Sequence, residues 1–412
     1  MFVYLLATLD TKGQEAAFVK RRLEELRIPV RLVDAGSLGE PAVVPDIARD
    51  EVFRAAGSSW QQIAQQADRG TAVATAARGA AILVREAHRR GELGGVLALG
   101  GSAGTTIGTT AMRELPIGVP KIMISTLASG QVRPYVRDKD IVMFNSIVDL
   151  AGINRISRLV LANAAAAMAG MFQHPPAATG PDRPLVVASM FGVTTPCVQR
   201  ARQVLEEAGY EVLVFHATGN GGQAMESLIR EGLVAGVLDI TTTELADELV
   251  GGVLSAGPDR LTAAAQTGTP QVVSVGALDM VNFGPPETVP ERFRGRRFHQ
   301  HNPTVTLMRT TVQENRQLGE EIGRKLAAAR GPVTILLPAR GVSALDREGQ
   351  PFDDPQARQA LFSAIQQHCG SVPCRRLDLH INDSAFAETA AGLLLAMMRD
   401  HAARQPAGND SP

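Results

Sequence analysis

Short apolar runs alternate along the chain with stretches whose apolar residues recur every three or four positions. Residues 2–7 (FVYLLA) form one such run, and Ala16, Val19, Leu23 and Leu26 then fall on one face of a helix. A second strand is predicted at 30–33. Residues 36–91 read as helical and Ala-rich, longer than a simple crossover. Further strands are predicted at 96–99, 121–124 and 141–144, followed by a long apolar helix over 153–172. Apolar strands separated by helices belong to a parallel sheet covered on both faces.

Residues 173–184 (QHPPAATGPDRP) carry four prolines and no periodicity. They predict a linker, and a hinge, between an N-terminal lobe over 1–176 and a C-terminal lobe over 184–404. The second lobe opens like the first. LATLDTKGQEAAFVKRRLEELRIPVRLVDAG and VASMFGVTTPCVQRARQVLEEAGYEVLVFHATG both read as strand, polar loop, helix and strand. Later strands are predicted at 236–238, 272–275, 305–307, 333–337 and 375–379, and residues 405–412 form a polar, frayed tail. The fold class is α/β: two doubly wound lobes with mainly parallel sheets and related strand-loop-helix openings. Open α/β sheets bind ligands outside the carboxyl ends of their strands, so the loops there are where chemistry is sought.

Composition narrows the partners. Lys+Arg 41 against Asp+Glu 42 gives a formal charge of −1, and aromatics are 4% of the chain. Neither bulk phosphate attraction nor base stacking is supported, which argues against nucleic acid. No stretch approaches the length of a membrane span without a charge. The cysteines (Cys197, Cys369, Cys374) form no CxxC pair, so a cytoplasmic protein with reduced thiols is expected. Cys197 lies near a predicted helix start, where a thiol pKa is lowered.

Two loops of the first lobe suit a phosphate. Asp10-Thr11-Lys12-Gly13 follows the first strand: a helix opening offers N–H groups, Lys12 adds positive charge, and Asp10 is placed to hold Mg²⁺. Gly100-Gly101-Ser102-Ala103-Gly104-Thr105-Thr106 lies between a strand and a helix, where glycines let backbone approach a phosphate. It is neither a Walker A loop nor GxGxxG. Ser125 and Thr126 open a third polar loop, and 145–149 (NSIVD) a fourth. Each has a plain alternative as a helix cap or glycine turn.

In the second lobe polar side chains recur at predicted strand ends: His216 before a glycine-rich loop, Asp239, Asp279, Arg340, Asp378, His380 and Asp383. The shared edge predicts that His216, Asp239, His301 and Asp378 line one pocket, with a histidine as acid or base. His301 reaches it from the loop FHQHNPT. His299-x-His301 with Asp378-x-His380 is also an alternative Zn²⁺ or Mn²⁺ ligand set.

The stretches ATLDTKGQE, ALGGSAGTT, ISTLASGQVRPYV, NSIVDLAGINRIS, HATGNGGQAMESL and GVSALDREGQPFDDPQA carry a resemblance across 8–386. The chain resembles the Tm-1-like ATP-binding (UPF0261) family: the two-lobed N-terminal region of the tomato mosaic virus resistance protein and its uncharacterised bacterial relatives. The resemblance implies two α/β lobes, ATP on the first lobe, and self-association into a homo-oligomer. It implies no reaction. Ala103 stands where relatives often carry Gly.

Three functions follow as expectations. The first is an ATP-dependent enzyme on a small-molecule substrate, with ATP and Mg²⁺ on the first lobe and the substrate facing them across a cleft. The others are a nucleotide-gated interaction module and a metal-assisted hydrolase or lyase.

Overall fold

The computed structural model describes residues 1–37, 39–66, 68–175 and 183–404. It divides into two compact units, Met1–Ala178 and Thr179–Pro412. The expected frayed tail and most of the expected linker lie outside the described residues.

Unit 1 runs β1 (Phe2–Ala7), α1 (Leu9–Glu25), β2 (Val30–Asp34), α2 (Arg49–Ala55), α3 (Trp60–Gln66), α4 (Arg69–Arg89), β3 (Leu93–Gly100), α5 (Ser102–Arg113), β4 (Lys121–Ser125), α6 (Arg133–Val136), β5 (Val142–Asn145) and α7 (Arg155–Gln173). Its strands pair in the parallel order β2-β1-β3-β4-β5. Successive residues of β1 enter opposite cores. Tyr4 and Leu6 pack with α2, α4 and α5, whereas Val3, Leu5 and Ala7 pack with α1 and α7. The helix-covered face therefore changes between β1 and β3, and a crevice opens at such a switch point.

Unit 2 runs β6 (Leu185–Met190), α8 (Thr195–Glu207), β7 (Glu211–His216), α9 (Asn220–Arg230), β8 (Gly236–Thr241), α10 (Glu244–Val250), α11 (Ala263–Thr267), β9 (Gln271–Gly276), β10 (Met280–Phe283), β11 (Phe298–Asn302), β12 (Val305–Arg309), α12 (Val312–Ala327), β13 (Val333–Pro338), α13 (Pro355–His368), β14 (Cys374–Leu377) and α14 (Ser384–Arg404). Its parallel sheet has the order β7-β6-β8-β9-β13-β14. Numbered from each unit's first strand, both sheets read 2-1-3-4-5, and the second adds a sixth strand.

Two elements depart from the sequence expectation. The strand expected at 305–307 is not in the parallel sheet. It is β12, the centre of a separate antiparallel sheet of order β10-β12-β11. FHQHNPT is not a loop either: Phe298–Asn302 is the edge strand β11. Its mostly exposed, polar residues carry no apolar run, so the pattern did not reveal it.

Candidate functional site

The β3–α5 turn sits at the switch point of unit 1. Gly101 is the N-cap of α5, with φ −81°, and no side chain among the described residues caps the helix. The first intrahelical bond runs from the Thr105 amide to the Gly101 carbonyl at 2.8 Å. The amides of Ser102, Ala103 and Gly104 precede it and are the donors an uncapped helix start presents. Ser102 is exposed, and the first turn of α5 carries no acidic residue. Among the described residues, a Cβ on Gly101 would meet only Thr126 Oγ1, at 3.7 Å. Gly100 and Gly104 serve packing instead. A Cβ on Gly100 would lie 2.9 Å from Gly104 Cα, and one on Gly104 2.9 Å from the Leu99 carbonyl. They bring α5 hard against β3.

Thr105, Thr106 and Ser125 were expected to bind nucleotide, and their hydroxyls are otherwise engaged. Thr105 Oγ1 lies 2.7 Å from Ser125 Oγ, both residues being fully buried, and Thr106 Oγ1 donates to the Ser102 carbonyl at 2.9 Å. They tie β4 to α5 and turn α5 on itself.

The β1–α1 turn differs from its expectation. The Leu9 amide donates to Asp34 Oδ1 at 3.1 Å, and the Thr11 and Lys12 amides donate to the Thr8 carbonyl. A carboxylate from the end of β2 thus occupies this helix start. Gly13 is a packing glycine, because a Cβ there would lie 2.9 Å from Ala42 Cβ. Lys12 Nζ donates to the Leu150 carbonyl, and Glu15 Oε1 accepts from the Gly152 amide at 2.6 Å. The DTKGQE stretch therefore clamps the β5–α7 loop. Asp10 stays at the turn, with Oδ2 accepting from the Gly39 amide at 3.2 Å. We expect Lys12→Ala to cost about 1 kcal/mol of stability and to speed amide exchange over 149–152, read by hydrogen-exchange mass spectrometry.

In unit 2 the glycines after His216 do not present donors outward. Gly219 and Gly222 donate their amides to Glu244 Oε1 at 2.7 and 3.1 Å. A Cβ on Gly221 would overlap the His216 carbonyl. Glu244 Oε2 in turn accepts from Arg260 Nε at 2.7 Å. Arg260 is 1% exposed, and it also donates to both Asp239 oxygens at 2.5 and 2.7 Å and to Glu226 Oε1 at 3.3 Å. Glu226 reaches on to the Leu261 and Ala263 amides and so caps α11. Burial opposes the Arg260 charge, but the Asp239, Glu244 and Glu226 carboxylates outweigh it and hold the guanidinium well above its ordinary pKa. Burial raises the Glu244 pKa, against the pull of Arg260.

The expected pocket of His216, Asp239, His301 and Asp378 does not assemble. Asp239 is 1% exposed and sealed by Arg260 and Ser189, whose hydroxyl donates to it at 2.6 Å. Asp378 forms an exposed bidentate pair with Arg340, at 2.9 and 2.7 Å. His301 is exposed on β11, in the other sheet. His216 is also exposed, its ring stacked on Phe191 at 5.3 Å. The alternative metal quartet fails for a related reason: the buried His380 has Nε2 on the Ser343 carbonyl at 2.9 Å and Nδ1 on the Asn382 amide at 3.1 Å. Among the described residues no group of three or more His, Cys, Asp or Glu is placed to hold a metal. Cys197 is fully buried, and burial pushes its thiol up to about 12, opposite to expectation.

Sequence reasoning missed Asp34, Arg49, Glu226, Glu244 and Arg260. Asp34 had a signal: with the two openings superposed, it occupies the place of His216 at the end of the second strand. Arg260, in SAGPDRLT, has the look of a surface turn.

Asp247 gives a pH-dependent stability. It is fully buried, accepts from Asn282 Nδ2 at 2.7 Å and from the Leu254 amide at 3.1 Å, and burial pushes its carboxyl up to about 7. Between about pH 4 and 7 the folded protein holds a proton that the unfolded chain has released. Its contribution is complete below the unfolded pKa and is lost as pH rises through the folded one. Asp247→Asn should remove about 1.4 kcal/mol per pH unit of that decline, measured by urea denaturation at several pH values from 4 to 8.

The fold and the turns define a two-unit, doubly wound α/β protein with an uncapped glycine turn at a sheet switch point. Comparison with known proteins gives its family. Residues 1–177 match the N-terminal domain of the uncharacterised protein family UPF0261, and residues 183–398 match its C-terminal domain. The chain belongs to that family. A UPF0261 protein of Clostridium tetani is 48% identical over 398 residues, covering 96% of this chain and 98% of that protein. One from Mesorhizobium japonicum is 49% identical over 397 residues, covering 95% and 98%. The ToMV resistance protein Tm-1(GCR237) of Solanum lycopersicum is 40% identical over 437 residues, covering 99% of this chain and 58% of the tomato protein. No helix among the described residues is long and apolar enough to cross a membrane.

Proposed function

We propose that unit 1 binds ATP with its phosphates over the N-terminus of α5. One contrast carries the reading. Of three comparable helix-opening turns, the one at α1 is filled by Asp34 and the one at α9 by Glu244, whereas the β3–α5 turn leaves Ser102, Ala103 and Gly104 without an internal anion among the described residues. A helix start with glycine access and no competing carboxylate favours phosphate. Gly101, Ser102, Gly104 and Thr126 are the contact residues of this reading.

Asp10 and Asp34 both stand at the neighbouring turn, and Asp34 is engaged there by the Leu9 and Gly36 amides and by Arg49. That suits Mg²⁺ delivered with the triphosphate, an ion that keeps several waters and takes one or two carboxylates beside the phosphates. It does not suit a metal caged by protein alone. Bound there, Mg²⁺ would offset phosphate charge.

In this reading the chain is an ATP-dependent enzyme acting on a small molecule, and His216 is its acid–base candidate. Of the four second-unit candidates, His216 and His301 keep exposed imidazoles, and the His216 ring is oriented by stacking on Phe191. The commitment of Asp239, Asp378 and His380 to internal partners favours the second reading, a nucleotide-gated interaction module. Phosphate release from Mg·ATP across a panel of carboxylate and carbonyl metabolites separates the two. The enzyme reading expects metabolite-stimulated turnover that His216→Ala reduces at least 100-fold, in the range general acid–base catalysis contributes, with ATP affinity unchanged. Absence of stimulated turnover with intact ATP binding would support the module.

A further inference from the structure

We propose that Arg49 and Trp60, at the carboxyl end of β2, receive the ribose hydroxyls of the nucleotide; the inference rests on the ATP reading above. Arg49 is 7% exposed. Its Nε donates to Asp34 Oδ2 at 2.7 Å and its Nη1 to the Gly39 carbonyl at 2.6 Å. Its Nη2 is buried and meets no acceptor among the described residues. The guanidinium carbon lies 5.4 Å from the centre of the Trp60 ring, and the Trp60 indole N–H is likewise buried without an acceptor there. Native proteins rarely leave a buried donor unmet, and here two belong to stacked side chains.

The surroundings select the ligand's chemistry. A Cβ on Gly36 would lie 2.8 Å from Asp10 Oδ1 and 3.0 Å from Asp34 Oδ1, so both carboxylates converge beside Gly36. Two donors beside two carboxylates match hydroxyl groups, which accept from Arg49 and Trp60 and donate to a carboxylate. A second phosphate or a carboxylate ligand would be repelled by Asp10 and Asp34. The site is linked to the β1–α1 turn, next to the nucleotide turn: Gly39 accepts from Arg49 through its carbonyl and donates to Asp10 through its amide. In the sheet order β2-β1-β3, the end of β2 lies two strand spacings, roughly 9–10 Å, from the β3–α5 turn. A triphosphate chain bridges such a span to its ribose. Trp60, half-buried over Arg49, must lift to admit the sugar.

Trp60 is the chain's one tryptophan, so intrinsic emission reports on it alone. The test is calorimetric titration of the full chain with Mg·ATP, Mg·2′,3′-dideoxy-ATP and Mg·tripolyphosphate, with emission recorded in parallel. ATP should change the emission and tripolyphosphate should not. Arg49→Lys keeps a cation for Asp34 and removes Nη2, and should weaken ATP at least tenfold with dideoxy-ATP unchanged. Trp60→Phe, read by calorimetry, should also weaken ATP selectively and guards against an unstable Arg49 variant. ATP binding with unchanged emission, or equal weakening of ATP and dideoxy-ATP in both variants, overturns the ribose assignment and leaves the phosphate site standing. Failure of the parent to bind ATP removes the phosphate reading and this inference with it.

Discussion

Replacing Arg260 by methionine should lower the stability of the C-terminal unit by about 3–5 kcal/mol, the cost of removing one partner from a buried ionic cluster. For a unit of this size that is roughly 6–20 °C in melting temperature. The reason is charge balance. Asp239, Glu244 and Glu226 surround one guanidinium, all with side chains at most 6% exposed. Without it, two or more carboxylates must be protonated or remain ionised in a dry interior. The deficit should therefore deepen as pH rises from 5 to 8, because the folded variant holds protons that the unfolded chain releases. Thermal melts at the two pH values check this. A variant within about 1 kcal/mol of the parent would mean that the cluster is not the electrostatic centre of the unit, surface pairs being worth no more than that.

The glycine turn at α5 should separate into two phenotypes. Gly101→Val places its side chain where, among the described residues, only Thr126 stands nearby, at an ordinary contact distance and an unstrained φ. The fold should tolerate it, while the added methyls block the approach to the helix start. Losing one charge-assisted phosphate contact, about 1.5–3 kcal/mol, lowers ATP affinity at least about tenfold. Gly104→Val should do the reverse damage first. Its Cβ would press on the Leu99 carbonyl, forcing α5 off β3 at a cost of about 1–3 kcal/mol in stability. Melting curves and calorimetry on both variants distinguish these outcomes. Equal loss of stability in the two would mean that Gly101 is a packing glycine like its neighbours.

The central parallel strands were legible because both faces of each are buried, which writes a continuous apolar run between glycine-bearing turns. The repeat of the opening was legible too, and the shared strand order 2-1-3-4-5 is its structural counterpart. Residues 298–302 were not, since an exposed edge strand has no apolar signature. The site divided along another line. Polar residues at strand ends could be located, but not whether each faces outward or inward. His216 and Asp239 look alike in sequence, yet one is exposed and the other locked to an arginine 21 positions away. Pairings such as Glu226 with Arg260, 34 positions apart, arise from tertiary packing and leave no local mark. The same limit hid the internal anion Glu244, and Asp34 was marked by the repeat of the opening alone; the two decide which helix start remains open.

The most direct measurement is an amide nuclear magnetic resonance titration with Mg·ATP, using selective labelling of glycine, serine and alanine. Phosphate binding at α5 should give saturable shifts of the Ser102, Ala103 and Gly104 N–H signals, as charge-assisted bonds form, with Gly219 and Gly222 unmoved behind Glu244. Binding of ATP that leaves residues 102–104 undisturbed, or that moves Gly219 and Gly222 instead, would contradict it.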